Sequence, residues 1–363
     1  PADYLFVYLV SFFLLLLSMK VKSEYAFIGA IAFAFSTYLI IILGVGHNTK
    51  ALAIGYAPIV LAGLFKILDK KYLAGFIVGA LGLGLQINAN HYQMTYYFLM
   101  LVGLITIINV FDDFFKKKIK DGLNKIGVVF ATTLFAIFLN ATAILATQEY
   151  SDFSTRGSSE ISINPDGSEK DDLSGLSNEY ITEYSYGKLE SFNLIVPRFM
   201  GGGSSELIDK DSDFVKELKN YDNESANIIY QNARLYWGNQ PIVAAPAYIG
   251  ISVFYIFLLA LFFIDKRHLK WVIPAIIFSL TLSWGKNFQF LTDFMINYFP
   301  FYDKFRAVSS IQVIIEFIIP LIATIGLFKF FQTDVVDKEK MKKLLYTSLS
   351  LIHISEPTRP SSI

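Results

Sequence analysis

Six cationic or imidazole side chains, His47, Lys50, His91, Arg156, Lys286 and Arg306, stand out in a chain that is otherwise rich in apolar residues. His47 and Lys50 fall in Gly46-His47-Asn48-Thr49-Lys50, three positions apart, and share one face if a helix starts there. With the free N–H groups of a helix N-terminus they form a site suited to phosphate or pyrophosphate. The same string also reads as a tight polar turn with a helix cap, since Gly, Asn and Thr all suit turns and N-termini. Asn90-His91-Tyr92-Gln93 divides in the same way. It is either an interfacial cap with belt tyrosines or a second imidazole able to carry a proton or donate to an oxyanion. Two histidines with no nearby carboxylate pair do not make a metal site, and no cofactor is evident.

The elements that must position these residues are long apolar runs separated by short loops. Hydrophobic residues make up 54% of the chain and charged residues 17%. A soluble domain carries about 25% charged residues. Mean hydropathy is +0.47. Nine runs, at 3–19, 25–44, 51–65, 72–88, 92–110, 126–147, 241–264, 271–283 and 308–328, have lengths close to what a bilayer core requires. Lys and Arg crowd every second loop: Lys20 and Lys22, then Lys66, Lys70 and Lys71, then Lys116 to Lys125, then Lys266 to Lys270, then Lys329 to Lys343. Basic loops stay cytoplasmic, so the alternation predicts an all-α polytopic membrane protein of about nine transmembrane helices. The same alternation puts His47, Lys50, His91, Lys286 and Arg306 on the opposite, extracytoplasmic side. Glu316 falls about eight residues inside the last run, or roughly 12 Å at 1.5 Å per residue. An isolated carboxylate in lipid costs at least a few kcal/mol, so Glu316 should face a polar cavity or pair with Arg306 or Lys304. A structural ion pair between helices is the plainer form of that expectation.

Residues 1–147 are thus read as six helices, 148–240 as an extracytoplasmic cap of mixed structure, and 241–331 as three further helices. The cap holds 17 of the 31 acidic residues. Arg156 lies among Glu149, Asp152 and Glu160, where it can grip a phosphate bidentately while Glu149 or Glu160 acts as a base. Most other carboxylates there read as solvated surface. Asp209-Lys210-Asp211-Ser212-Asp213 begins like a calcium loop, but Phe214 and Asn220 stand where that loop requires Gly and Glu. Gly201-Gly202-Gly203 is a flexible turn whose N–H groups can cradle an anion. Tyr184, Tyr186, Tyr236 and Trp237 offer faces on which sugars stack, or simply pack the cap on the helices. The absence of cysteine excludes disulfides and thiolate metal sites. Residues 332–350 read as a basic cytoplasmic segment with a truncated helix, and 351–363 as a non-native tail. The first run begins on the outer side, so a further span is expected before Pro1.

Taken in order, several strings resemble the YfhO-like family of bacterial membrane proteins, in its Bacteroidetes form. They are Gly46 to Tyr56, Gln86 to Gln93, Ser154-Thr155-Arg156-Gly157, Tyr184-Ser185-Tyr186-Gly187, Pro197 to Gly202, Trp284-Gly285-Lys286-Asn287 and Asp303 to Val308. The resemblance spans about residues 1–345 and implies an integral-membrane glycosyltransferase. Such an enzyme moves a sugar from a polyprenyl phosphate donor to a cell-envelope glycan acceptor outside the cytoplasm. Teichoic acids, the acceptors of Gram-positive relatives, do not carry over to a Bacteroidetes host. The resemblance implies that Lys50, Arg156, Arg306 and Lys286 bind the donor phosphate. His47, His91 and Glu316 are then the catalytic candidates, and Asn48, Asn90, Glu160, Tyr186 and Trp237 contact sugar or acceptor. The carboxylate base of that superfamily usually sits in the first outer loop, which is expected upstream of Pro1, so no base is assigned here. Partners are membrane lipid, the polyprenyl-linked sugar and the glycan acceptor; no nucleic acid is expected. A transporter or flippase of lipid-linked sugars would use similar groups with gating instead of a base. An assembly protein with an acidic cap would not need clustered His, Lys and Arg at one depth.

Overall fold

Apolar runs of this length close their backbone hydrogen bonds internally, which in lipid leaves the helix as the available form. The computed structural model describes residues 2–154, 156–157, 167–168, 176–218 and 220–332, together with Lys342, Tyr346 and Ser348. In chain order the helices are α1 (Ala2–Ser18), α2 (Ser23–Ala34), α3 (Thr37–Gly44), α4 (Asn48–Leu68), α5 (Tyr72–Asn88), α6 (Tyr92–Phe115), α7 (Ile119–Leu139) and α8 (Ala141–Asp152). Three short helices follow in the cap: α9 (Asn178–Thr182), α10 (Asp213–Leu218) and α11 (Asn223–Asn232). The last four are α12 (Ile251–Ala260), α13 (Lys266–Ser283), α14 (Gln289–Tyr298) and α15 (Val313–Gln332). Among the described residues there is no strand, only an isolated bridge between Gly201 and Tyr236.

Four helices, α4, α6, α7 and α15 with the turn before it, are long and apolar enough to cross a membrane. A fifth span results if α2 and α3, bent by 51° at their junction, count as one. That is fewer than the nine full spans expected. The runs at α1, α5 and α12 form apolar helices of 17, 17 and 10 residues. The sixth run divides at Asn140, which caps α7 and begins α8. Residues 241–250 of the seventh run are not helical, and α12 starts only at Ile251. The second run breaks at Phe35-Ser36, where the Thr37 N–H and hydroxyl both donate to the Tyr248 carbonyl, at 3.2 and 2.8 Å. Thus the non-helical stretch 241–250 satisfies the backbone that the break exposes. The basic segment and the tail lie outside the described residues apart from Lys342, Tyr346 and Ser348.

Apart from polar groups near their ends, α4 and α15 are apolar on every face and are largely enclosed by the others, as expected for central helices. Small residues let them be approached closely. A Cβ on Gly63 of α4 would lie 2.4 Å from the Gly79 Cα of α5, and one on Gly326 of α15 would lie 2.1 Å from the Ala260 Cβ of α12. Phe12, Phe33, Phe98 and Phe317 form one aromatic knot from four helices, with Phe12 stacked on Phe33 at 4.3 Å. Peripheral α7 instead exposes Phe130, Leu134, Phe135 and Phe138, an apolar face suited to lipid.

The two ends of the bundle differ in chemistry. At one end ion pairs tie helix termini together: Asp69–Arg267 at 2.7 Å, Asp113–Lys125 at 2.6 Å, Asp121–Lys70 at 2.6 Å, Asp265–Lys329 at 2.5 Å, and Asp112 with both Lys116 and Lys270. All the lysines and arginines in these pairs come from the loops and helix ends that the alternation assigns to one side. The cap lies at the opposite end. There Glu190 is buried and accepts hydrogen bonds from the Gly187 N–H (2.9 Å), the Asn239 N–H (3.1 Å), the Gln240 side chain (3.0 Å) and the Tyr236 hydroxyl. This carboxylate fastens residues 187–190 to 236–240, and with burial it holds the Tyr236 phenol well above its ordinary pKa.

Candidate functional site

At the cap end, the start of α4 meets the turn that precedes α15. Gly46, at φ +77°, reverses the chain after α3, and His47 then caps α4 so that Lys50 falls in its first turn. The Lys50 ammonium donates to the Ser310 hydroxyl at 3.1 Å and stands 5.4 Å from the centroid of the Tyr38 ring. Among the described residues Lys50 has no carboxylate partner within ion-pair distance. It is a half-buried cation held only by a neutral hydroxyl and an aromatic face.

Both histidines lie within the field of that cation. Burial, then the Lys50 charge, lowers the pKa of His47. The same two causes push His91 down to about 4, so at neutral pH its imidazole is uncharged. His91 caps α6, and its Nδ1 accepts from the Met94 N–H at 3.4 Å. That assigns the remaining proton to Nε2, leaving an N–H donor available. One ammonium, a neutral imidazole donor and the N-termini of α4 and α6 therefore converge where an anion would be stabilised.

Glu316 lies in the first turn of α15 and is fully buried, with neither carboxylate oxygen hydrogen-bonded. The expected pairing with Arg306 or Lys304 does not form. The Arg306 guanidinium donates to the Tyr180 hydroxyl and covers the Tyr180 ring at 5.1 Å, while Lys304 pairs with Asp303 at 3.0 Å. Those cations sit on the exposed turn before α15, whereas Glu316 points into the bundle. Around Glu316 stand Ser36 and Tyr38 from the broken helix, with Tyr186 of the cap close by.

The other expected site residues divide into two groups. Arg156 joins the outer turn: its Nε donates to the Lys304 carbonyl at 3.1 Å, and Lys304 returns a bond to the Arg156 carbonyl at 3.2 Å. Arg156 and Arg306 thus meet at the turn before α15, where the Arg306 carbonyl accepts from the Gln93 amide near the start of α6 and both side chains bond groups other than Lys50. Lys286 is exposed; its N–H is held by the Ser185 hydroxyl at 3.1 Å. Asn48 and Asn90 are exposed at the helix starts, Asn90 at φ +59°. Trp237 is 75% exposed and offers an open ring, whereas Tyr186 is 8% exposed and its ring is enclosed, so it supplies no open stacking face. Glu160 lies outside the described residues. Nor do the three glycines cradle an anion: the N–H groups of Gly201, Gly202 and Gly203 are taken by Arg198, Leu235 and Glu206. Gly201 is fixed at φ +83°, with the Leu235 carbonyl where a Cβ would go.

Sequence reasoning missed Tyr38, Ser310, Tyr180 and Glu190. Ser36-Thr37, a polar pair amid the apolar run at 25–44, was the available signal for the helix break and hence for Tyr38. Nothing local distinguishes Glu190 from the acidic surface around it. No family model, curated protein or solved structure matches this chain.

Proposed function

We propose that this chain is an integral-membrane glycosyltransferase that transfers a sugar from a polyprenyl phosphate donor to a cell-envelope acceptor on the cap side. The observation that carries this reading is Lys50: a cation with no carboxylate partner among the described residues, flanked by two imidazoles, at the top of apolar helices. An amphiphile with a phosphate head and a prenyl tail matches that combination, the head at Lys50 and the tail along the lipid-facing helices. The resemblance of several strings to the YfhO-like family points the same way. In the transfer, the acceptor hydroxyl attacks the anomeric carbon and its proton passes to the departing phosphate, while the carbon–oxygen bond to phosphate breaks and its electron pair stays on that phosphate oxygen. Lys50 and the His91 Nε2–H stabilise that developing charge without reorganising. Arg156 and Arg306, at the turn before α15, meet the donor or acceptor as it enters. In this reading the shorter apolar helices complete a nine-span bundle in a bacterial inner membrane, with the ion-paired end cytoplasmic and the cap outside.

The bend between α2 and α3 favours one alternative, a flippase of lipid-linked sugars, because discontinuous helices serve alternating access. Proteoliposomes holding the intact protein and a radiolabelled polyprenyl-phosphate sugar separate the two. The enzyme gives label in envelope glycan that is lost in Lys50→Met; movement of label between leaflets with no transfer sinks the enzyme reading.

A further inference from the structure

The short helix α14 carries three different faces. Thr292 and Met295 lie on one side and are buried in the bundle. At about 100° per residue, two parallel rows with i, i+4, i+8 spacing run along the other side. Gln289, Asp293 and Asn297 form a polar row, and Phe290, Phe294 and Tyr298 form an aromatic row beside it. The polar row bonds within itself, the Gln289 amide donating to the Asp293 carboxylate at 2.6 Å. The aromatic row is open: Phe290 is 83%, Phe294 49% and Tyr298 75% exposed. The Phe294 and Tyr298 rings lie side by side, centroids 5.3 Å apart. Both ends of the helix are fastened. The Thr292 hydroxyl donates to the Gly285 carbonyl at 2.9 Å, and beyond the helix the Tyr96 hydroxyl of α6 donates to the Pro300 carbonyl at 2.7 Å.

The depth of α14 follows from α13. That helix starts at the ion-paired end, where Arg267 and Lys270 meet Asp69 and Asp112. Its 18 residues rise about 27 Å at 1.5 Å per residue. A bilayer's hydrocarbon core is about 30 Å thick. The turn Gly285–Phe288 and then α14 come directly after, so they lie where the apolar core gives way to headgroups. Water and lipid meet there, and a helix surface divided between a polar row and an aromatic row suits both at once. A second protein fits less well. At about 200 Å² per ring, the three rings expose on the order of 400 Å², half of the roughly 800 Å² per partner that a stable interface buries.

We propose that α14 is an interfacial helix lying along the membrane leaflet on the cap side. Phe290, Phe294 and Tyr298 sit among the headgroups and upper acyl chains, and Gln289, Asp293 and Asn297 face water. The consequence for the site is positional. α14 leads directly into the turn that carries Lys304 and Arg306 and bonds Arg156, so an anchored α14 holds that turn level with lipid phosphates. The inference needs the bundle to cross a membrane, and it holds whether the chain transfers lipid-linked sugars or moves them.

The test is site-directed spin labelling of the intact protein in vesicles of phosphatidylcholine and phosphatidylglycerol. The chain contains no cysteine, so one substitution places one label. Power saturation measures access to oxygen, which concentrates in lipid, and to a water-soluble nickel chelate. Labels at Phe290→Cys, Phe294→Cys and Tyr298→Cys should show an oxygen-to-nickel access ratio severalfold above those at Gln289→Cys, Asp293→Cys and Asn297→Cys. All six positions are solvent-facing or partly so, and thermal unfolding of each variant should match the parent. Equal ratios in the two rows would overturn the inference. High nickel access throughout would mean that water covers the aromatic row. Low access to both reagents at the aromatic positions would mean that protein covers it, with dipolar broadening if that protein is a second copy.

Discussion

Replacing Lys50 by Met probes function and stability at once, and the two effects should have opposite signs. The ammonium is half-buried, bonded to Ser310 and laid on Tyr38, with no carboxylate partner among the described residues. Removing a desolvated charge in favour of an apolar chain of similar length is often neutral or stabilising. The unfolding midpoint of Lys50→Met should therefore stay level or rise. Binding of a prenyl phosphodiester should weaken, because a hydrogen bond to a charged group contributes about 2 kcal/mol, or about 30-fold in affinity. His91 supplies an internal check. Part of what holds its pKa at about 4 is the Lys50 charge, so the imidazole should titrate at higher pH in the variant. Thermal unfolding, calorimetric binding and histidine NMR on one preparation give all three readings. Unchanged ligand affinity with a folded protein would refute the assignment of Lys50, and a large loss of stability would refute the view that it is uncompensated.

Other outcomes follow from the same structure. Folded His91 titrates at about 4 and the unfolded side chain near 6.5, so the unfolded chain binds the proton first. The stability tied to His91 is complete above about pH 6.5 and is lost as pH falls toward 4, by up to about 3 kcal/mol. His91→Gln should flatten that part of the stability–pH profile in a denaturant titration. Glu190→Ala leaves four donors around residues 187–190 and 236–240 without their acceptor. At about 1–3 kcal/mol for each donor that water does not reach, the cap should open to limited proteolysis while the helices stay protected. Gly63→Val forces α4 and α5 apart where a Cβ already meets backbone at 2.4 Å. It should destabilise the bundle by about 1–3 kcal/mol, read as a lowered unfolding midpoint in detergent.

The helical character and the two chemically distinct ends were legible because hydropathy and Lys/Arg placement are local properties of sequence. Span integrity was not. A polar pair such as Ser36-Thr37 breaks a helix only because residues 241–250, far along the chain, come back to bond it. Asn140 likewise interrupts an apolar run with a side chain that bonds the Gly84 carbonyl of α5 at 3.1 Å. At the site, His47, Lys50 and His91 were singled out by residue type, and they do share one corner. Arg156 and Arg306 were grouped with them by depth and by the strings that carry the resemblance, and their side chains bond Lys304 and Tyr180 through contacts far apart in sequence. Glu316 was expected to face a polar cavity or a cation because a buried charge is costly; it has no cation, and its polar neighbours are hydroxyls brought by helices whose packing no single segment encodes.

The central claim is that Lys50 receives the phosphate of a prenyl-linked donor, and locating that phosphate tests it most directly. A structure of the intact protein with a polyprenyl-phosphate sugar bound should place a phosphate oxygen about 2.7–2.9 Å from the Lys50 ammonium, with the His91 Nε2–H turned toward it. A phosphate found at the Arg156–Arg306 turn, with Lys50 still bonded only to Ser310, would contradict it.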